Sequence, residues 1–150
     1  MRLSTRSRYG ARLVLDIALH GNGAPVRITD VAERQNISFK YLEKLTIVLK
    51  RAGYIISKRG PRGGHMLAKP LDRISMGEIV RVLEDDYSLT RCVATGMVCT
   101  RYSSCLMYDV WREASQAMME KLDSISLADL VRRADRESVE DGACMSLKRR

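Results

Sequence analysis

The chain has 150 residues, about one domain's worth, with 45% hydrophobic and 29% charged residues, a composition that can bury its own core. No run approaches a membrane span, since the most apolar one, residues 13–19, is interrupted by Asp16. The net charge of +8 is uneven: residues 1–70 carry fourteen Lys and Arg against four Asp and Glu, and residues 71–150 carry twelve against fourteen. A basic amino-terminal half on a near-neutral remainder points to a polyanion-binding module joined to something else, although a solvated basic face has the same charge.

Residues 5–20 place Tyr9, Leu13, Val14, Ile17 and Ala18 at helical spacing, and Gly21-Asn22-Gly23 ends the pattern. Arg2, Arg6 and Arg8 ahead of this run imitate a signal peptide. The apolar stretch is too short and no A-x-A site follows, so a buried helix and a cytoplasmic chain are expected. Thr29 is placed to cap a second short helix running to Arg34, which Asn36 breaks. Ser38 opens a third, with Leu42, Leu45, Ile47, Val48 and Leu49 inside and Gly53 at its stop. Two short helices with a three- or four-residue break have the helix-turn-helix layout.

The β-branched run 54–58, the turn Arg59-Gly60-Pro61-Arg62-Gly63-Gly64 and the run 65–68 then read as a hairpin, a wing on that motif. No Lys-Ser/Thr pair and no helix follow the glycines, so the turn is not a phosphate-cradling loop. Ser75-x-x-Glu78 is a capping box ahead of a fourth helix, and Glu84-Asp85-Asp86 follows it.

Three of the four cysteines then fall together, Cys92, Cys99 and Cys105, spaced C-x6-C-x5-C among Thr95, Gly96, Thr100, Ser103 and Ser104. The stretch reads as a loop, which can bring three thiolates to one point. The spacing is too wide for structural zinc knuckles, and no C-x-x-C pair occurs. In a reducing compartment clustered cysteines point to metal or redox chemistry, and an iron–sulfur cluster is the reading adopted here. Leu106, Val110, Trp111, Ala114, Met118 and Leu122 next form an apolar stripe of about four turns with little else in the chain to cover it. Pairing with a second copy is expected, and packing on the helix-turn-helix core is the competing expectation. Ser126 caps a short helix to Arg133, and the charged tail is expected to be loose. The expected organisation is therefore a mainly α chain with a small β-hairpin: a winged helix-turn-helix over 1–84, a cysteine-rich loop over 85–105, a dimerisation helix and short terminal helix over 106–134, and a flexible tail over 135–150.

In a winged helix the third helix enters the major groove with its N-terminal residues at base edges, which selects Ser38, Lys40, Tyr41 and Glu43. Glu43 suits a cytosine amino group, and Lys40 a guanine or a phosphate, while solvated surface is the plain alternative. Arg59 and Arg62 on the wing tip suit a narrow minor groove or flanking phosphates.

The segments MRLSTRSRYGARLVLDIAL, ISFKYLEKL and RGPRGGHML, with three cysteines ahead of a Trp111-containing helix, resemble the IscR/NsrR family of bacterial winged-helix regulators over about residues 1–130. The resemblance implies a dimeric DNA-binding protein whose long helix crosses to the partner subunit. It implies that Cys92, Cys99 and Cys105 ligate iron, and that Ser38, Lys40, Tyr41, Glu43, Arg59, Gly60 and Pro61 lie at the DNA. This chain departs from it at the fourth ligand. Tyr108 stands where IscR-like members have histidine, and Arg8 where the nitric-oxide-sensing branch has a carboxylate. Tyr108, Asp109, Asp86, Cys144 or an exogenous ligand stay open, as do 2Fe–2S and 4Fe–4S.

The function expected is a cytoplasmic homodimeric transcription regulator whose binding to a double-stranded operator depends on that cluster. A cluster-free thiol switch at the same cysteines is the nearest rival, and an iron–sulfur carrier a more distant one. Catalysis is not expected, because His20 and His65, the two histidines, lie near no candidate nucleophile or carboxylate pair.

Overall fold

The computed structural model describes residues 3–94 and 104–136. Its elements are helices α1 (Thr5–Gly21), α2 (Ile28–Gln35) and α3 (Phe39–Arg51), strands β1 (Ile55–Lys58) and β2 (Gly64–Leu67), a 3-10 turn at Leu71–Arg73, and helices α4 (Met76–Leu83), α5 (Arg91–Ala94) and α6 (Leu106–Asp123). A last helix, α7, covers 127–136, three residues beyond the expected Arg133.

Each boundary has a local cause. Ser4 caps α1, its hydroxyl accepting from the Ser7 amide at 3.2 Å. Asn36 takes the left-handed conformation after α2, and the Asn36 and Ile37 amides return to the Glu33 and Ala32 carbonyls. Gly53 does the same after α3, where φ is +77° and the Gly53 and Tyr54 amides close on Lys50 and Leu49. Both ends are Schellman motifs, and the break between α2 and α3 follows from the first. The capping box on α4 forms as expected: the Ser75 hydroxyl accepts from the Glu78 amide, and the Glu78 carboxylate from the Ser75 amide.

Two expectations are corrected here. Thr29 does not cap α2; Arg27 holds the N-cap position with no side-chain bond, and the Thr29 hydroxyl donates to Asp30. Ile47 is not a core residue but is 50% exposed, because the inward stripe of α3 is Leu42, Leu45, Thr46 and Leu49. Ile47 is thus left on the outer face, with Phe39.

The core gathers Leu13, Val14 and Ile17 of α1, Val31 of α2, Leu42 and Leu49 of α3, Ile55, Ile74, Ile79 and Leu83, with Leu127 of α7. The two strands pair antiparallel, Ile55 opposite Leu67 and Lys58 opposite Gly64. Val26 adds a one-residue third rung by exchanging both backbone bonds with His65 (2.9 and 2.8 Å). A Cβ at Gly64 would sit 2.5 Å from the Val26 carbonyl oxygen, so glycine is what lets this rung close. One buried charge joins α1 to α2. The Asp16 carboxylate, buried, accepts from Arg34 (2.5 Å) and Gln35 (2.8 Å). Burial pushes that carboxyl up, but the Arg34 and Gln35 bonds overcome it and hold it below its ordinary value.

Helix α6 divides into two halves. Its C-terminal half packs on α4, with Met119 buried and Asp123 in a bidentate ion pair with Arg81. Its N-terminal half exposes Leu106 (86%), Met107 (47%), Val110 (48%) and Trp111 (38%). Among the described residues no helix is long and apolar enough to cross a membrane.

Candidate nucleic-acid interface and thiol segment

Lys40, Glu43, Lys44, Ile47 and Lys50 recur at i, i+3, i+4, i+7 and i+10 along α3, the outward face of the helix. They form one wall of a cleft of about 710 Å³ whose other wall is the wing, at Ser57, Gly64 and His65, with Arg27, the N-cap of α2, and Thr29 at its end. His65 faces Ser57, whose hydroxyl lies 3.2 Å from Nδ1. Burial, helped by Lys50 and opposed by Glu43, holds the imidazole below its ordinary value, so His65 lines the cleft as a neutral group at neutral pH.

Of the residues expected at DNA, Ser38, Lys40 and Glu43 are exposed at the start of α3. Ser38 is the N-cap residue, and its hydroxyl makes no capping bond. Tyr41 is half-buried, its ring meeting that of Tyr9 edge-on at 5.9 Å, so it braces α3 against α1. Arg59, Gly60, Pro61 and Arg62 lie exposed at the wing tip, not in the first cleft but around a second of about 770 Å³, shared with Gly23, Pro25 and Arg27. Arg27 belongs to both clefts and donates to the Pro61 carbonyl at 2.9 Å. Sequence reasoning missed Arg27, Lys44, Lys50 and His65. The i+4 and i+10 spacing from Lys40 marks the two lysines, but nothing local marks Arg27 or His65, which arrive through the Val26–His65 rung.

The thiols are arranged differently from a plain loop. Cys92 lies in the single helical turn α5, which rests against α6, with the Thr90 hydroxyl 3.1 Å from its sulfur. Cys105 is the N-cap residue of α6, and its side chain makes no capping bond. Both are free and partly exposed. Cys99 and Cys144 lie outside the described residues, as does most of the expected loose tail. Among the described residues no three metal-donor side chains come together. Of the open fourth ligands, Asp109 pairs with Arg112 at 3.0 Å and Asp86 accepts from the Ser88 amide at 2.8 Å. Tyr108 sits half-buried in the first turn of α6, its amide donating to the Cys105 carbonyl.

The approach to this segment is tied at both ends. The Glu84 carboxylate accepts from the Ser4 amide at 2.8 Å, and the Leu89 amide donates to the Ser115 hydroxyl at 3.0 Å, which itself donates to the Trp111 carbonyl. Burial pushes the Glu84 carboxyl up, but the Ser7 hydroxyl beside it, the Ser4 amide bond and nearby Arg6 hold it below its ordinary value. The segment leading to Cys92 therefore bridges the start of α1 and the middle of α6.

Known proteins are similar to this chain in sequence and fold. The chain is 48% identical over 134 residues to protein rrf2 of Nitratidesulfovibrio vulgaris, covering 89% of each chain. Its fold is similar to that of T. potens IscR (TM-score 0.75, 35% identity, 89% and 88% of the two chains). It is also similar to CymR, the global cysteine regulator of B. subtilis (TM-score 0.73, 32% identity, 89% and 98%). The family model described as Rrf2, iron-dependent transcriptional regulator, matches residues 3–133. The chain, a winged helix with a basic cleft, whose residues 3–133 match the family model and whose fold matches T. potens IscR, belongs to the Rrf2 family as an IscR-like transcriptional regulator.

Proposed function

We propose that this regulator is a homodimer whose operator affinity is set by an iron–sulfur cluster on Cys92, Cys99 and Cys105. The observation that carries the reading is the position of Cys92 and Cys105. Two free thiols, one on the turn against α6 and one at its start, close the two ends of the segment that contains Cys99. The donor set fits the group, since thiolates are the ligands iron–sulfur centres take. The positive end of an 18-residue helix at Cys105 favours a negatively charged ligand there. A cluster would supply redox chemistry and, with three protein thiolates, one weakly held iron position open to oxygen or nitric oxide.

The protein's own residues carry the coupling. Leu106, Met107, Val110 and Trp111 form one exposed apolar face on the first turns of α6, which supports pairing with a second copy. The same helix is fixed to α4 by Arg81–Asp123, and residues 84–89 tie it to the start of α1. A cluster held between Cys92 and Cys105 would thus change the spacing of two α3 helices, and half-sites about 34–36 Å apart tolerate little change. On the DNA side, Ser38, Lys40, Tyr41 and Glu43 would approach the major groove, and Arg59, Gly60, Pro61 and Arg62 the flanking minor groove or phosphates.

The likeness to CymR, named a cysteine regulator, supports a second reading in which the same thiols act without metal. Isolation of the full chain without oxygen separates the two. Brown protein with iron, sulfide and visible charge-transfer absorption, whose operator binding changes on cluster removal, supports the cluster. Colourless protein that cannot be reconstituted but responds to thiol oxidants establishes the second reading instead.

A further inference from the structure

The outward face of α3 begins with an aromatic ring. Phe39 is the first residue of the helix, directly after the N-cap Ser38, and is 42% exposed. The core does without it, because α3 faces inward through Leu42, Leu45, Thr46 and Leu49. Phe39 lines the cleft beside Lys40, Glu43 and Lys44, and it precedes Glu43 by four residues, one helical turn on the same face. Lys40, Lys44 and Lys50 rim that cleft, so the occupant is a polyanion that also offers an apolar group. Duplex DNA is such a partner. The floor of its major groove carries one apolar feature, the C5-methyl of thymine, and amino donors on adenine and cytosine, of which cytosine's suits a carboxylate.

We propose that Phe39 is a specificity-determining residue that packs on a thymine methyl next to the base pair facing Glu43. The inference rests on the DNA-binding reading of α3 and adds the base it selects. The N-terminal end of a recognition helix reaches deepest into the groove, which is where Phe39 stands. A ring half out of solvent in the free protein covers the methyl on docking, and the adjacent lysines hold the phosphates on either side. Discrimination comes from apolar burial and has no hydrogen bond to lose.

The test uses the full-length protein to enrich binding sites from random double-stranded DNA, then replaces each thymine of the enriched site in turn with deoxyuridine, which lacks only the methyl. One position per half-site is expected to bind about fourfold more weakly, the effect of one methyl group's transfer from water. Phe39→Ala is expected to bind thymine and uracil duplexes equally, and Phe39→Leu to keep part of the difference. Wild-type protein indifferent to every uracil substitution overturns the proposal. So does a methyl effect that persists in Phe39→Ala, or a Phe39→Ala change that appears only in the oligomeric state. Failure to enrich any sequence overturns the DNA-binding reading of α3 itself, a result distinct from the other three.

Discussion

Arg27 and Pro61 lie 34 residues apart in the chain, yet the Arg27 guanidinium donates to the Pro61 carbonyl at 2.9 Å. The contact exists because Val26 is hydrogen-bonded to His65 on the wing, which leaves the next residue, the N-cap of α2, at the hairpin's side. The wing is therefore held along β2 by a backbone rung and at its tip by a side chain. Arg27→Ala removes the second hold. Operator binding is expected to weaken by about tenfold, the effect of one hydrogen bond to a charged group. A mobility-shift titration beside a thermal melt checks it, and the melt is expected to stay unchanged because Arg27 is exposed.

Arg59 stands at the tip that Arg27 holds and is itself exposed. Arg59→Ala is expected to weaken operator binding and to lower the salt slope by about one, the signature of a lost phosphate or groove contact. Iron content is expected to stay at the wild-type level. Unchanged affinity across a salt series would take the wing out of the DNA interface.

Cys99→Ala is expected to abolish visible absorption and bound iron while leaving the helical content by circular dichroism intact. Cys92→Ala and Cys105→Ala are expected to do the same, since both thiols are partly exposed and neither belongs to the core of Leu13, Leu42, Ile79 and Leu127. Stoichiometric iron retained in any one of them would remove that residue from the ligand set.

Trp111 is 38% exposed and is the one aromatic ring of the exposed α6 face of Leu106, Met107 and Val110. Trp111→Glu is expected to raise the dimer dissociation constant about 30-fold or more, as for an aromatic residue central to an interface. Sedimentation at micromolar concentration reads the shift to monomer. A wild-type protein that already sediments as a monomer would refute pairing through α6.

Acid sensitivity follows from the carboxylates. Asp129 is held down to about 2, from an ordinary 3.8, by the Ser126 hydroxyl and amide with Arg132 beyond. Its folded value lies below its unfolded one, so the folded chain binds fewer protons there. The associated stability is complete above pH 3.8 and is lost as pH falls towards 2. Asp16 has the same sign. A urea midpoint is expected to hold steady from pH 7 to 5 as far as these groups act, and to fall below about 4. At neutral pH, Asp16→Asn is expected to cost about 3 kcal/mol, because it leaves the inner end of the Arg34 guanidinium without its charge partner.

Helix positions and the wing hairpin were legible in the sequence because each depends on neighbours in the chain. Apolar spacing marks α1 and α3, Asn36 and Gly53 mark the ends of α2 and α3, Ser75 and Glu78 mark a capping box, and Gly60-Pro61 marks a hairpin tip. Thr29 failed as a cap for a tertiary reason: Val26 is committed to the wing, so α2 begins at once after Arg27. Ile47 failed as a core residue because hydrophobicity does not encode which α3 face meets α1 and α4, and that choice left Ile47 outside.

The sequence by itself determined the winged helix, the thiol-rich segment and the surplus apolar stripe, since residue type and local spacing suffice for these. Only the tertiary structure decided that Arg27 and His65 belong to the basic clefts, and that α6 spends half its length on α4 while exposing Leu106 to Trp111. Contacts such as Arg27–Pro61 and Arg81–Asp123 join residues far apart in the chain. Their partners are fixed by how packed helices close on one another, which no local pattern records.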